Sequence, residues 1–292
     1  MLGAFIPDAR GNAQAILTFA TRVGTAPRAV MWYQDWAQPE TRAFNTEQMD
    51  AVYIHGAVPV VTWEPWDAMA GPNQPTYALR QILAGSYDGY VHKWARAAAT
   101  WNRPFYLRFA HEMNGTGYPW TPTINGNTPE EYVATWRHLH DIFQQEGATN
   151  TRWVWSPTVL PSDTLPLLAT FYPGDAYVDW VGLDGYNWGT SQTWSHWSDL
   201  ASVFAASYQT LAAMTTKPMM IAETASAESG GDKAQWITQG LLTDIPQRFP
   251  RIRAVIWFNE AKETDWRVDS SPATLAAYRA VARSPLYQGI LP

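Results

Sequence analysis

Two glutamates carry the chemistry that this chain can perform. Glu112 lies in the run Arg108-Phe-Ala-His-Glu-Met-Asn-Gly and Glu223 in Met220-Ile-Ala-Glu-Thr, each where a short apolar segment gives way to a polar one. Cleaving a glycosidic bond needs such a pair: a protonated carboxyl that donates to the leaving oxygen, and an ionised one that attacks or assists at the anomeric carbon. One must titrate high and the other low. Arg108 and the phenol of Tyr186 would favour an ionised Glu223, whereas aromatic surroundings would disfavour the charge of Glu112, which makes Glu112 the expected acid/base. A single glutamate at a strand end is more commonly a surface or ion-paired group. Two of them, on separate strands and both among aromatics, favour catalysis over that bland reading. The 17 tryptophans point the same way, because indole faces stack on the apolar C–H surfaces of sugars.

The elements that must position this pair follow from periodicity. Short apolar or β-branched runs alternate with stretches of helical spacing, the pattern of βα units around a parallel sheet. Strands are expected at 2–6, 28–33, 58–63, 104–109, 152–156, 179–183, 217–222 and 254–258, and the clearest helices at 77–100, 129–146, 197–214 and 232–249. Thr128-Pro129-Glu130-Glu131 reads as a helix start, with a capping hydroxyl, proline at the first position and acids in the first turn. Eight such strands predict a single (β/α)₈ TIM barrel over residues 1–292, with its active site at the C-terminal ends of the strands. The runner-up is a doubly wound open sheet, against which stands the absence of a Gly-x-Gly-x-x-Gly fingerprint after the first strand. Strict alternation would point Arg108, Ala110 and Glu112 one way on strand four, and Met219, Ile221 and Glu223 one way on strand seven.

Composition removes other classes. A net charge of −6 with scattered Lys and Arg argues against a nucleic-acid partner. The absence of cysteine excludes disulfides and thiolate metal sites. No apolar run reaches membrane-spanning length, and no signal peptide precedes the first strand. His111 belongs to no His-Glu-x-x-His zinc motif, since position 115 is glycine, and the Gly-x-Ser-x-Gly elbow is missing. No metal or cofactor is expected. His138 and His140 lie two apart on a helix and face different ways, which argues against shared ligation.

The chain resembles glycoside hydrolase family 26, a clan A family of retaining (β/α)₈ β-glycanases. The residues that carry the likeness are His111-Glu-Met-Asn-Gly115, Trp153-Val-Trp-Ser-Pro157, Asp179-Trp-Val-Gly-Leu-Asp-Gly-Tyr-Asn-Trp188, Lys217-Pro-Met-Met-Ile-Ala-Glu223 and Ile256-Trp-Phe-Asn259. The resemblance implies that Glu112 is the acid/base, that Glu223 is the nucleophile, and that His111, Tyr186 and Trp257 line the subsite where the bond breaks. Two departures matter. The aromatic that similar mannan-cleaving members carry five residues beyond the acid/base is Gly117 here, followed by Tyr118 and Trp120. The histidine that they place early in the chain has no counterpart in Trp32-Tyr-Gln-Asp-Trp36. Both shift the expected substrate from β-1,4-mannan toward mixed-linkage β-1,3-1,4-glucan, the lichenase type.

Trp36, Trp63, Trp66, Trp120, Trp188 and Trp257 fall near strand ends and are expected as sugar platforms. Trp94, Trp136, Trp197 and Trp236 fall on helical stretches and are read as packing. Arg108, Asn114 and Tyr118 complete the expected binding set. Glu64, Asp67, Asp184 and Glu260 either bond sugar hydroxyls or order their loops. The expectation is therefore a monomeric, secreted, endo-acting glycanase that takes a polysaccharide or oligosaccharide. The rivals are an endo-β-1,4-mannanase, an exo-acting or transglycosylating enzyme, and a barrel that binds carbohydrate without catalysis.

Overall fold

The computed structural model describes residues 1–10, 12–39, 42–160 and 164–289. Its strands are β1 (Leu2–Phe5), β2 (Ala29–Asp35), β3 (Val58–Glu64), β4 (Phe105–Phe109), β5 (Thr151–Trp155), β6 (Trp180–Val181), β7 (Asp184–Asn187), β8 (Met219–Ser226) and β9 (Ile252–Phe258). Neighbours pair in parallel, and β1 pairs with β9 as well as β2, which closes the sheet on itself. β6 and β7 are two halves of one stave, both pairing with β8, so the molecule is a closed eight-stranded parallel barrel. That stave breaks at Gly182, where a Cβ would lie 2.4 Å from the Ser156 hydroxyl. The expected strand over 179–183 is thus shorter than predicted, and its continuation carries Asp184 and Tyr186.

Alternation along each strand sorts two cores. Ala29, Met31, Val58, Val60, Tyr106, Val154, Met220, Ala222 and Ile256 fill the barrel interior. The opposite faces of the strands, with Trp63, Phe105, Trp153 and Ile221, pack against the surrounding helices. Each fully buried Leu- or Phe-sized side chain contributes about 1.5–3 kcal/mol by leaving water.

The helices are α1 (Ala13–Val23), α2 (Thr46–Ile54), α3 (Leu79–Leu83), α4 (Asp88–Trp101), α5 (Pro129–Gln145), α6 (Leu200–Met214), α7 (Lys233–Gln239), α8 (Ile245–Arg248) and α9 (Pro272–Arg283). The start read at Thr128 is a full capping box, with Thr128 accepting from the Glu131 amide and Glu131 from the Thr128 amide. The helix expected over 77–100 is two, because Gly85 takes a φ of +84° between α3 and α4. The one expected over 232–249 is interrupted by a wider turn at Gly240–Asp244. There, a Cβ on Gly240 would meet Leu200 at 2.7 Å. Among the described residues no helix is long and apolar enough to cross a membrane.

Candidate active site

The floor of the site is one buried cation. Arg108 projects from β4 into the barrel with no exposed side-chain surface, a position tolerable only for a charge whose partners surround it. It forms an ion pair with Asp184 and another, at 2.5 Å, with Glu223, and donates to Thr62 at 3.0 Å. Burial opposes its charge, but Asp184 and Glu223 outweigh that and hold its pKa well above the ordinary arginine value. Ser156 donates to the other oxygen of Asp184 at 3.0 Å. The remaining oxygen of Glu223 accepts from the Tyr186 hydroxyl at 2.6 Å. Glu223 therefore sits as an acceptor between two fixed donors, and Asp184 serves the guanidinium rather than standing free for a ligand.

Glu223 does not reach this position by alternation. On β8, Met219 and Ile221 face the helices while Met220 and Ala222 face the interior, so strict alternation would turn Glu223 outward. The pairing with β9 runs Ile221↔Val255 and then Thr224↔Trp257, leaving one extra residue on β8. This bulge puts Ala222 and Glu223 on the same side, and the expectation that Met219, Ile221 and Glu223 share a face is corrected accordingly.

Glu112 departs from alternation too. β4 ends at Phe109, and Ala110 and Glu112 take positive φ values of 42° and 51°. Left-handed backbone at non-glycine residues costs on the order of 1 kcal/mol each and persists where surrounding bonds fix it. Here the Ala110 amide donates to Trp63 O at 3.1 Å, the Glu112 amide to Ser156 O at 2.7 Å, and the Tyr132 hydroxyl to Ala110 O at 3.2 Å. Asn114 holds Thr158 at both ends, donating to its carbonyl at 2.8 Å and accepting from its amide at 2.9 Å. Asn114 is thus a brace for the turn that carries Glu112. Burial raises the Glu112 carboxyl to about 7, the negative charge of Glu223 adds to the rise, and Arg108 partly offsets it.

His111 lies beneath this turn. It is buried, its Nε2 meets the Tyr118 hydroxyl at 3.0 Å, and its carbonyl accepts from Trp120 Nε1 at 2.7 Å. Burial first, and then the charges of Arg108 and Lys262, push its pKa far below the usual histidine value, which favours the neutral ring. Nδ1 is 3.8 Å from Glu64, whose carboxyl burial raises to about 8.

Above these groups opens a cavity of about 710 Å³. Of the residues expected from sequence, Glu112, Glu223, Tyr186, Trp188, Tyr118 and Trp66 line it; Arg108, His111 and Asn114 support it from behind. Four tryptophans are not brought to the cleft. Trp36 and Trp63 are fully buried against each other, centroids 4.8 Å apart, and packed on Tyr90. Trp120 is buried under Tyr118, stacked at 4.6 Å. Trp257 faces outward from β9 onto Trp236 of α7 and Tyr278 of α9. Proximity to a strand end had suggested a cleft position for each, but side-chain direction decides it.

Sequence reasoning missed Trp266, which occupies the cavity wall that Trp257 was expected to form. Trp257 props it from behind, with Nε1 donating to Trp266 O at 2.9 Å. Tyr33, Phe258, Lys262, Glu263 and Trp194 were missed as well. The Lys262–Trp266 group sits on the turn closed by the bridge Ala261↔Asp265, directly after β9, and its one sequence signal is its place just beyond the strand expected at 254–258. Asp67 orders its own loop, accepting from the Met69 amide at 3.0 Å, while Glu64 and Glu260 line the cavity. Among the described residues no group of three His, Cys, Asp or Glu side chains is arranged to hold a metal ion.

The sequence of residues 49–238, which carries both candidate carboxyls, matches the family model of glycosyl hydrolase family 26. The chain belongs to glycoside hydrolase family 26. It is 43% identical over 233 residues to Endoglucanase H of Acetivibrio thermocellus, a match that covers 79% of this chain and 25% of that protein. It is also 33% identical over 88 residues to a mannan endo-1,4-beta-mannosidase of Bacillus subtilis (strain 168), covering 28% of this chain and 23% of that one. Among solved structures, a modular endo-beta-1,4-mannanase from Cellulomonas fimi superposes with a TM-score of 0.70 at 20% identity, covering 91% of this chain and 65% of that one. That likeness speaks for the fold. The chain spans a quarter of the length of Endoglucanase H.

Proposed function

We propose that residues 1–292 form a single catalytic domain that hydrolyses a β-linked polysaccharide from within, by double displacement and with the β configuration kept. Glu223, oriented by Arg108 and Tyr186, attacks the anomeric carbon while Glu112 donates its proton to the departing sugar oxygen; Glu112 then takes a proton from the water that hydrolyses the glycosyl-enzyme. The observation that carries this reading is that Glu112, its pKa raised to about 7, shares one cavity with a Glu223 held by two donors.

The charge balance supports both steps. While Glu223 is ionised its charge helps keep Glu112 protonated, as an acid requires. Once Glu223 is esterified that charge is gone, the proton on Glu112 is held less tightly, and the same group becomes a base. No step calls for a metal or organic cofactor. A polymeric substrate is met outside the cell, so we place the protein among secreted enzymes, and we take it to act as a monomer.

Mixed-linkage β-1,3-1,4-glucan is the substrate we favour, on Gly117 in place of an aromatic and on the extent of the likeness to Endoglucanase H. β-1,4-Mannan is the second reading, favoured by the match to the Bacillus subtilis mannosidase. Parallel hydrolysis of barley glucan, lichenan, glucomannan and galactomannan separates them. Proton NMR of the first product tests retention, and an initial α-anomer would overturn it. Binding of these polymers without release of reducing ends would leave a carbohydrate-binding barrel instead.

A further inference from the structure

Beyond the reacting groups, one aromatic is placed against ordinary folding logic. Trp194 is 67% exposed, and it lines the rim of the cavity. An exposed indole on a mobile loop would need no explanation, but this loop is tied at many points. Asn187 Oδ1 accepts from the amides of Gly189 and Ser198 at 3.1 and 2.9 Å, closing the base of the loop. Ser195, next to Trp194, donates to Gly189 O at 2.8 Å, and the Thr190 amide donates to Ser229 O at 3.1 Å. Gly189, at φ +53°, leaves no room for a side chain, since a Cβ would fall 1.9 Å from Ser229 O. The chain thus uses several hydrogen bonds to hold a large apolar surface in water.

The indole is continuous with the site. Trp194 meets Trp188 at 5.2 Å between centroids, Trp188 meets Trp266 at 4.9 Å, and Trp266 meets Tyr186, the donor to Glu223, at 5.1 Å. This stair of rings climbs from the nucleophile to the rim. On the neighbouring wall Lys262 and Glu263 pair at 3.2 Å, and Glu260 beside them adds a further carboxyl, a lining that offers an anionic sugar no net positive charge and suits a neutral one.

We propose that Trp194 is the platform of a distal subsite, stacking on the apolar face of a neutral sugar at least one residue away from the bond that breaks. The proposal deepens the glycanase reading and rests on it for the class of ligand. A contact that binds ground state and transition state alike moves KM and leaves kcat, which is the behaviour expected of a platform that touches no reacting atom.

The test is Trp194→Ala beside Trp194→Phe, with thermal unfolding to show that both remain folded. On barley β-glucan and glucomannan, Trp194→Ala should raise KM about tenfold while kcat changes less than about twofold, and Phe should keep most of the affinity. An aryl β-glycoside that fills only the reacting subsite should be cleaved as by the wild type. Gel retardation by the same two polymers gives a readout independent of turnover. If the wild type cleaves nothing but is retarded, and Trp194→Ala is not, the platform stands and the hydrolase reading falls. If the wild type cleaves glucan and Trp194→Ala changes neither KM nor retardation, or slows the aryl glycoside equally, the platform is overturned and the hydrolase reading stands. A wild type that neither cleaves nor is retarded overturns both.

Discussion

The tops of β4 and β8 deliver the two candidate catalytic carboxyls by opposite means. At β4 the chain leaves the sheet, and two left-handed residues, Ala110 and Glu112, swing the side chain over the barrel. At β8 it stays in the sheet for the full Met219–Ser226 span and gains its direction from one extra residue between Ile221 and Thr224. The first route stores strain in a braced turn, and the second spreads a slip along a paired strand. The difference matches the proposed roles. A group that must lose and regain a proton sits in a turn where burial sets its pKa, whereas a group that must hold one position sits on a strand between two donors.

Several changes would break or sharpen this contrast. The largest effect is expected at the carboxyls: Glu223→Ala should lower kcat about 10⁴-fold or more, with azide restoring turnover as the α-configured glycosyl azide. Glu112→Ala should instead spare substrates with good leaving groups in the first step and yield the β-azide. NMR of the azide products checks both, and swapped configurations would exchange the roles.

Arg108→Met leaves Asp184 and Glu223 buried without their cation and should cost about 3–5 kcal/mol in denaturant unfolding. An unchanged midpoint would show that the two carboxyls share no charge with the floor. Ala110→Val places a β-branched residue at φ 42° and should cost about 2–3 kcal/mol. A neutral result would mean that the turn relaxes freely.

The pH dependence follows from Glu112. Its folded pKa of about 7 lies above the ordinary 4.5, so the stability it contributes is full below pH 4.5 and is lost as pH rises through about 7. kcat/KM should fall over the same alkaline limb, since the acid must be protonated. Relative to wild type, Glu112→Gln should gain stability between pH 5 and 8, by at most about 3 kcal/mol. Equal differences at the two pH values would remove Glu112 as the titrating group. The smallest effect is expected on β8: Thr224 is fully buried and its hydroxyl has no hydrogen-bond partner among the described residues, so Thr224→Val should stabilise by about 1 kcal/mol and leave activity intact. A marked loss there would show that the bulge is as sensitive as the β4 turn.

The barrel was legible because its signals are local. Apolar runs such as Val58–Trp63 and the capping box at Thr128 say strand and helix without help from the rest of the chain. The candidate carboxyls were legible because the strand ends that carry them are. What alternation could not supply was direction at the irregular points, the bulge before Thr224 and the left-handed turn at Ala110, where contacts with β3, β5 and β9 override the strand period. The same limit misplaced Trp257 and hid Trp266. A sequence shows that an indole is near a strand end but not which face it takes, and loop residues such as Trp194 acquire their place from bonds to Gly189 and Ser229 that no period announces.

The exposure of Trp194 has an optical consequence. It is the one tryptophan of the 17 whose ring lies mostly in water, so it should dominate the red edge of the emission spectrum and the fraction quenched by acrylamide. Saccharide filling the rim would shield that single fluorophore and shift the signal to the blue, making the molecule its own unlabelled reporter of occupancy.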